Sequence, residues 1–272
     1  MAITPFQQKI CHLISDARKQ NGASYIAGGV SLNTCLNAPR ISHDIDIFND
    51  SHDALIAGWE DDKKVLEQNN YSINILRERS FFIEAIISDI KTEDSVILQW
   101  TCDSAFRFFP LIEHDDFGLT LHPFDLATNK ALALVGRLEV RDWIDMVTSH
   151  DKIQHIGLLL WAACGKDPGF SPTTILAEAR RSAHYTQVEI DSLIFEKNVP
   201  DATHLSEKWK QIMNESEKII DLLPIEEVGK CILDEKGQPF NASYAEIQNH
   251  IQSKNIRFHE GTLYGSFPVI KT

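Results

Sequence analysis

The chain has 272 residues, of which 43% are hydrophobic and 24% charged, and its formal net charge is −13. That length buries one large core or two modest ones, and the mix is that of a folded globular protein rather than a disordered or fibrous one. The acidity excludes broad non-specific binding of duplex nucleic acid, which needs clustered Lys and Arg against phosphate; a nucleotide or a single RNA end needs only a few local cations.

Two further classes fall away. The most apolar run, Ile156 to Cys164, is far short of the roughly 20 residues that cross a bilayer. The N-terminus has no basic segment followed by an apolar stretch and a small-residue cleavage site, so a cytoplasmic protein is expected. Cys11, Cys35, Cys102, Cys164 and Cys231 are scattered without a CxxC spacing. This suits a reducing compartment and reads as small core residues.

Thr4 and Pro5 read as the N-cap and first residue of a helix, with Phe6, Ile10, Leu13 and Ile14 recurring at helical spacing as far as Gly22. Ser24 to Ala27 is a short strand that runs into Gly28-Gly29, and Val30 to Leu36 then predicts a helical turn or two. From His43 to Phe48, Ile45 and Ile47 alternate with Asp44 and Asp46, so a strand puts the apolar pair on one face and both carboxylates on the other. Asn49-Asp50-Ser51 caps a helix over about 52–69. Extended segments follow at Tyr71–Leu76, Phe81–Ile87 and Val96–Asp103, giving a mixed sheet of about five strands.

From Pro123 the pattern turns helical: Phe124–Gly136, Val140–Ser149, Ile153–Cys164, Thr173–Arg180, Val188–Glu196, His204–Leu222 and Tyr244–Ser253. The predicted class is α+β: a mixed β-sheet flanked by helices over residues 1–122, then an α-helical lobe over 123–272. No internal repeat, low-complexity tract or Gly/Ser linker interrupts it.

Carboxylates two apart on a strand share a face and can converge as hard oxygen ligands on a divalent cation. Asp44 and Asp46 fit that requirement, although an isolated DxD also occurs at solvated strand edges. Upstream, Gly28-Gly29-Val30-Ser31 combines two residues without Cβ with a helix N-terminus, which allows close backbone approach to phosphate; Ser31 adds a hydroxyl. The order and spacing of the two features point to a nucleotide site more strongly than either does alone.

An apolar residue before Gly28-Gly29-x-Ser31-Leu32, then Pro39-Arg40-Ile41-Ser42-x-Asp44-Ile45-Asp46-Ile47-Phe48, resembles the signature of the AbiEii/AbiGii-type nucleotidyltransferases, a branch of the DNA polymerase β-like superfamily. Asp125 to Leu134 with Lys130, followed by Arg137 and Arg141-Asp142-Trp143-Ile144-Asp145, resembles that family's second block. The likeness covers about residues 25–148. It implies that the first 122 residues form a nucleotidyltransferase-like domain and that the helical lobe binds the acceptor. Gly28, Gly29 and Ser31 would hold the triphosphate, Asp44 and Asp46 would bind Mg2+, and Lys130 would contact a phosphate or the base. Asp142 would be the acid nearest the site, as a supporting partner or general base, with Asp145 bracing its helix; Arg141 and Asp145, four apart, are also able to pair.

The superfamily usually carries a third carboxylate on an adjoining strand. Here the polar face of Ile97 to Asp103 carries Gln99, Thr101 and Asp103, so Asp103 is its only acid, and Glu84 competes. If the position falls on Gln99, the third acid is absent and a helical acid such as Asp142 has to substitute. Arg40 and Arg107 are further cations for nucleotide or acceptor phosphates, or structural ion-pair partners. Trp143, Trp161, Arg180 and Arg181 are candidates for an RNA face, against core packing and ordinary surface charge. His43-Asp44 has the dipeptide of HD-type phosphohydrolases, but its strand alternation speaks against their helical metal site.

The expected function is therefore Mg2+-dependent transfer of a nucleotide from an NTP to an acceptor hydroxyl. The resemblance implies a toxin of a toxin–antitoxin pair, with tRNA or another RNA end as acceptor and a cognate antitoxin as partner. The alternatives are a fold-retaining interaction protein without turnover, or a transferase acting on a protein or small molecule.

Overall fold

A computed structural model describes residues 3–269. The chain divides into two compact units, one of Met1–Ala105 with Leu111–His122, the other of Phe106–Pro110 with Pro123–Thr272.

In the first unit, α1 (Pro5–Asn21), β1 (Ser24–Ala27), α2 (Gly28–Cys35), β2 (Asp44–Asn49), α3 (His52–Gln68), β3 (Tyr71–Arg79), β4 (Phe82–Asp89) and β5 (Ser95–Cys102) follow in order. After β6 (Phe106–Arg107), which belongs to the second unit, the hairpin β7 (Ile112–His114) and β8 (Gly118–Thr120) returns to the first. The sheet has seven strands in the order β3-β4-β5-β2-β1-β8-β7. That is larger than the sequence predicted, because the three-residue strands of the hairpin are too short to carry an alternation signal.

Local chemistry sets the element ends. Thr4 and Gln7 form a reciprocal capping box, Gln7 N donating to Thr4 Oγ1 at 3.1 Å and Thr4 N to Gln7 Oε1 at 2.8 Å, and Gly22 closes α1 at φ 65°. Ser51 caps α3 by accepting from Ala54 N at 3.1 Å.

Alternation then sorts the strand side chains. Ile45, Ile47, Ile83, Ala85, Ile87, Leu98 and Trp100 are buried on one face in a core that includes Ile10 and Ile14 of α1 and Leu55, Trp59 and Leu66 of α3. Truncating one of the buried isoleucines to alanine costs about 2–5 kcal/mol. Asp62 of α3 is buried here, accepting from Trp100 Nε1 at 2.7 Å and paired with Arg18. Burial pushes its carboxyl upward, and the Arg18 and Trp100 contacts only partly counter this. The opposite face carries Asp44, Asp46, Glu84, Gln99 and Thr101, with Phe48, Ile86 and Ile97 among them.

The second unit holds α4 (Pro123–Arg137), α5 (Val140–Lys152), α6 (Ile156–Ala163), α7 (Pro172–Arg180), α8 (Gln187–Asp191), α9 (Ala202–Leu222) and α10 (Tyr244–Gln252). Two small ribbons accompany them: β9 (Cys231–Leu233) with β10 (Arg257–His259), and β11 (Thr262–Leu263) with β6. Every residue of α6 is buried, and it packs on α4 and α9 as the unit's central helix. It starts at Ile156 rather than at Ile153 because His155 caps it, its Nδ1 accepting from Gly157 N at 3.1 Å. The helix expected at Val188–Glu196 is one short turn, Gln187–Asp191, opened by the Thr186–Glu189 capping box.

The segment 106–110 belongs with these helices because Asp125, fully buried, accepts from Phe108 N at 2.9 Å and from Phe109 N at 3.0 Å. Trp143 and Trp161 are core residues, while Arg180 pairs with Glu217 and Arg181 with Glu178 at the surface. Burial pushes the Cys11 and Cys164 thiols up to about 12, and the Cys231 thiol is raised too, so these behave as small core side chains. Among the described residues no helix is long and apolar enough to cross a membrane.

Candidate active site

The polar face of the sheet is built in register. β2 runs parallel to β5 with Asp44 opposite Ile97 and Asp46 opposite Gln99; β4 runs antiparallel to β5 with Glu84 opposite Gln99; β3 places Arg77 opposite Glu84. One row therefore crosses four strands: Arg77, Glu84, Gln99, Asp46. Along it Arg77 Nε stands 3.4 Å from Glu84 Oε2, and Gln99 Nε2 donates to Glu84 Oε1 at 2.8 Å. Asp44 and Asp46 are both half-buried on this face.

The row ends against the glycine turn. Ala27 pairs with Asp46, and the chain turns at once into α2 through Gly28 at φ +64°. A Cβ on Gly28 would lie 1.6 Å from Asp46 Oδ2, so only glycine fits. The N-cap position of α2, Ala27, makes no side-chain cap, and the positive end of the helix lies beside a carboxylate. At Gly29 the neighbours of an added Cβ would be Arg40 Nη2 and Ser42 Oγ, each at 2.9 Å, which brings Arg40 to the turn. Gln7 fixes the approach to β2, its Nε2 donating to Ser42 O at 2.8 Å and to His43 O at 3.1 Å.

Ser31 is fully buried and shares a 2.5 Å hydrogen bond with Thr120, whose hydroxyl donates to Ile26 O at 2.7 Å. It braces the turn from within the protein instead of facing a ligand. Asp103 lies one residue beyond β5, exposed, with Oδ1 accepting from Ser104 N at 2.8 Å. It stands outside the row, four residues past Gln99, and roughly 13 Å of strand separates the two. The position across from Asp46 is Gln99. His43 is exposed at the bend before β2 and is not itself part of a helix.

In the second unit the later motif residues form a knot of charge. Lys130 Nζ of α4 lies 2.9 Å from Asp142 Oδ1 and 3.1 Å from Asp145 Oδ2 of α5. Arg137 clamps the same Asp142 carboxylate through Nε at 2.6 Å and Nη2 at 2.9 Å. Lys130, Asp142 and Asp145 are all buried. Burial pushes the Asp142 carboxyl up, but the bonds from Arg137 and Lys130 outweigh it and hold it below the usual range. Arg141 pairs with Glu139 at 2.6 Å. Arg107 is buried in this unit, its guanidinium 5.8 Å from the Tyr264 ring centre.

The sequence named Gln99 and Glu84 but missed their mutual hydrogen bond, Arg77 behind them, and Thr120 under Ser31. Alternation places Gln99 and Glu84 on the polar face of their own strands, and the β4–β5 register then sets them opposite each other.

Among the described residues no three or more His, Cys, Asp and Glu side chains gather as a metal cluster. Two strand carboxylates nevertheless fit Mg2+ by donor chemistry, since that ion is commonly held by one or two carboxylates together with substrate phosphates. The missing Cβ at Gly28 keeps Asp46 on the row, and the donor set is entirely oxygen.

The first unit is thus a mixed sheet with paired carboxylates on one strand and a glycine turn into a helix beside them, and the second unit is largely helical. No family model and no curated protein matches the sequence. Among solved structures the chain is similar to MenT4, a nucleotidyltransferase toxin of Mycobacterium tuberculosis, at 13% identity and a TM-score of 0.52 over 91% of this chain and 92% of that one. It is also similar to JHP933 from Helicobacter pylori, at 13% identity and a TM-score of 0.52 over 80% of this chain and 95% of that one. A Helicobacter pylori protein assigned by inference as a nucleotidyltransferase gives 14% identity and a TM-score of 0.53, over 80% and 96% of the two chains.

Proposed function

We propose that this protein is a Mg2+-dependent nucleotidyltransferase that moves a nucleoside monophosphate from an NTP to an acceptor hydroxyl. The observation that carries the reading is the closure of Gly28 onto Asp46, with Asp44 on the same face. Asp44 and Asp46 would hold the cation, which when bound supplies neutralisation of charge on the attacking and leaving oxygens. The backbone at Gly28 and Gly29 and the N-terminus of α2 would cradle the phosphates, with Arg40 beside Gly29 adding a guanidinium. Positioning of the phosphorus relative to the acceptor oxygen does most of the work in such reactions. For Lys130 we carry the phosphate contact that the family resemblance implies.

The acceptor we favour is a tRNA or another RNA end, and the biological role a toxin controlled by a cognate antitoxin; the likeness to MenT4 and the AbiEii-type motifs support both. A second reading, an inactive relative that keeps the fold, is favoured by Gln99 standing where an acid is expected. Incubating the protein with Mg2+, labelled NTPs and total RNA separates the two. Label should enter RNA and pyrophosphate should be released, and neither should occur with Asp44→Ala/Asp46→Ala; equal labelling by that double variant would remove the catalytic assignment.

A further inference from the structure

We infer that Gln99 supplies a third protein oxygen to the divalent cation, through Oε1, and that Glu84 and Arg77 are positioning residues that hold its amide in the required orientation. The inference rests on the cation site proposed at Asp44 and Asp46.

The argument begins with register. Gln99 lies directly across from Asp46 on the adjacent parallel strand and on the same face, at the strand separation of about 4.8 Å. A ligand for a cation held by Asp46 belongs at that position. Glu84 is one strand further, roughly 10 Å from β2, and its carboxylate is committed to Gln99 on one oxygen and Arg77 on the other. Asp103 is off the row, past the end of β5.

An amide has one end that attracts a cation and one that repels it, so a glutamine serves here only if it cannot flip. Glu84 settles which way it points. A carboxylate accepts and does not donate, so its contact with Gln99 must be made by Nε2, and Oε1 is thereby turned away from β4. Arg77 holds Glu84 in place from the opposite side. Glu84 is 8% exposed, so the contact is sheltered from competing water. Ligand orientation by a hydrogen-bonded carboxylate behind the ligand is a general device of metal sites. The neutral amide also has a chemical consequence: the protein part of the site carries one negative charge fewer than a three-carboxylate set, so its hold on the cation depends more on the substrate's phosphates.

The test is Mn2+ binding to the full chain, measured by calorimetry and by the loss of the free-ion EPR signal, with and without a non-hydrolysable NTP. Folding of each variant is checked by thermal denaturation. Gln99→Leu should weaken Mn2+ about 10- to 100-fold, and Glu84→Leu, which frees the amide to flip, about tenfold. The exchanged pair Gln99→Glu/Glu84→Gln restores the hydrogen bond in reverse and puts a carboxylate oxygen beside Asp46. It should bind Mn2+ at least as tightly as the parent and depend less on the nucleotide. Parent-like affinity in Gln99→Leu, or loss of binding in the folded exchanged pair, would overturn the role of Gln99. Failure of the site itself looks different, because Asp44→Ala/Asp46→Ala would then bind Mn2+ like the parent.

Discussion

Gly28 and Asp46 exclude any side chain from the space between them: a Cβ on Gly28 would stand 1.6 Å from Asp46 Oδ2 and 2.4 Å from Asp46 Cγ. The turn that starts α2 and the strand that carries the carboxylates are fixed against each other at that point. A sequence change at either residue is read by the other.

Gly28→Ala should therefore be costly twice. The left-handed backbone at φ +64° costs about 1–3 kcal/mol for a residue with a side chain, and the methyl must displace the Asp46 carboxylate. We expect a lower melting temperature, loss of Mn2+ binding and loss of transfer. Gly29→Ala is the matched control. Its φ is not in the left-handed region, and its nearest neighbours are the movable ends of Arg40 and Ser42. It should stay close to the parent in stability and raise the KM for NTP by shifting Arg40. Equal behaviour of the two variants in both measurements would contradict this division.

Lys130 separates stability from chemistry. Removing one member of a buried ion pair leaves a stranded charge and costs about 3–5 kcal/mol, whereas apolar replacement of both partners is often close to neutral. Lys130→Met removes the ammonium that stands between two buried carboxylates, 2.9 Å from Asp142 and 3.1 Å from Asp145, so urea denaturation should show a substantial loss. Adding Asp142→Leu and Asp145→Leu should recover most of it. Transfer should stay absent in the recovered triple variant, which lacks both the ammonium proposed to meet a phosphate and the Asp142 carboxylate that the resemblance sets nearest the site.

Asp142 also sets an acid limit. With its folded value held below the unfolded one of about 3.9, its contribution is present in full above that pH and is lost as pH falls through the folded value. Asp142→Asn should thus lower stability at neutral pH and flatten the decline below about pH 4. Denaturation midpoints between pH 3 and 6 measure both.

The sheet and its polar face were legible from the sequence because alternation on β2, β4 and β5 fixes which side chains share a side. The helices of the second unit were legible from their 3.6 periodicity. What alternation does not carry is register across strands distant in sequence. Asp103, one residue past β5, continues the parity of Gln99, and only the pairing with β2 decides which faces Asp46. Ser31 likewise reads as a phosphate ligand beside two glycines until Thr120, 89 residues away, takes its hydroxyl. The ion-pair knot eluded the sequence for a related reason: the partners of Lys130 are set by the packing of α4 on α5, which spacing along either helix does not carry.

The corner between α5 and α6 holds a histidine pair, His155 buried and His150 half-buried, that makes a further, independent prediction. His155 caps α6, lies edge-on to His150 at 4.7 Å and faces Glu215 of α9 at 3.4 Å, with Asp151 and Lys208 bordering His150. Burial, reinforced by His150 and opposed by Glu215, pulls the His155 imidazolium down to about 4. Because the folded value is depressed from 6.5, the contribution is complete above about pH 6.5 and is lost as pH falls towards 4. The shift is worth on the order of 3 kcal/mol over that window. His155→Asn keeps a side-chain cap for α6 but has nothing to titrate. It should be less stable than the parent at pH 8, through lost packing, and yet show a shallower loss of stability between pH 6.5 and 4. Parallel curves for the two proteins across that window would mean that His155 is not the titrating group.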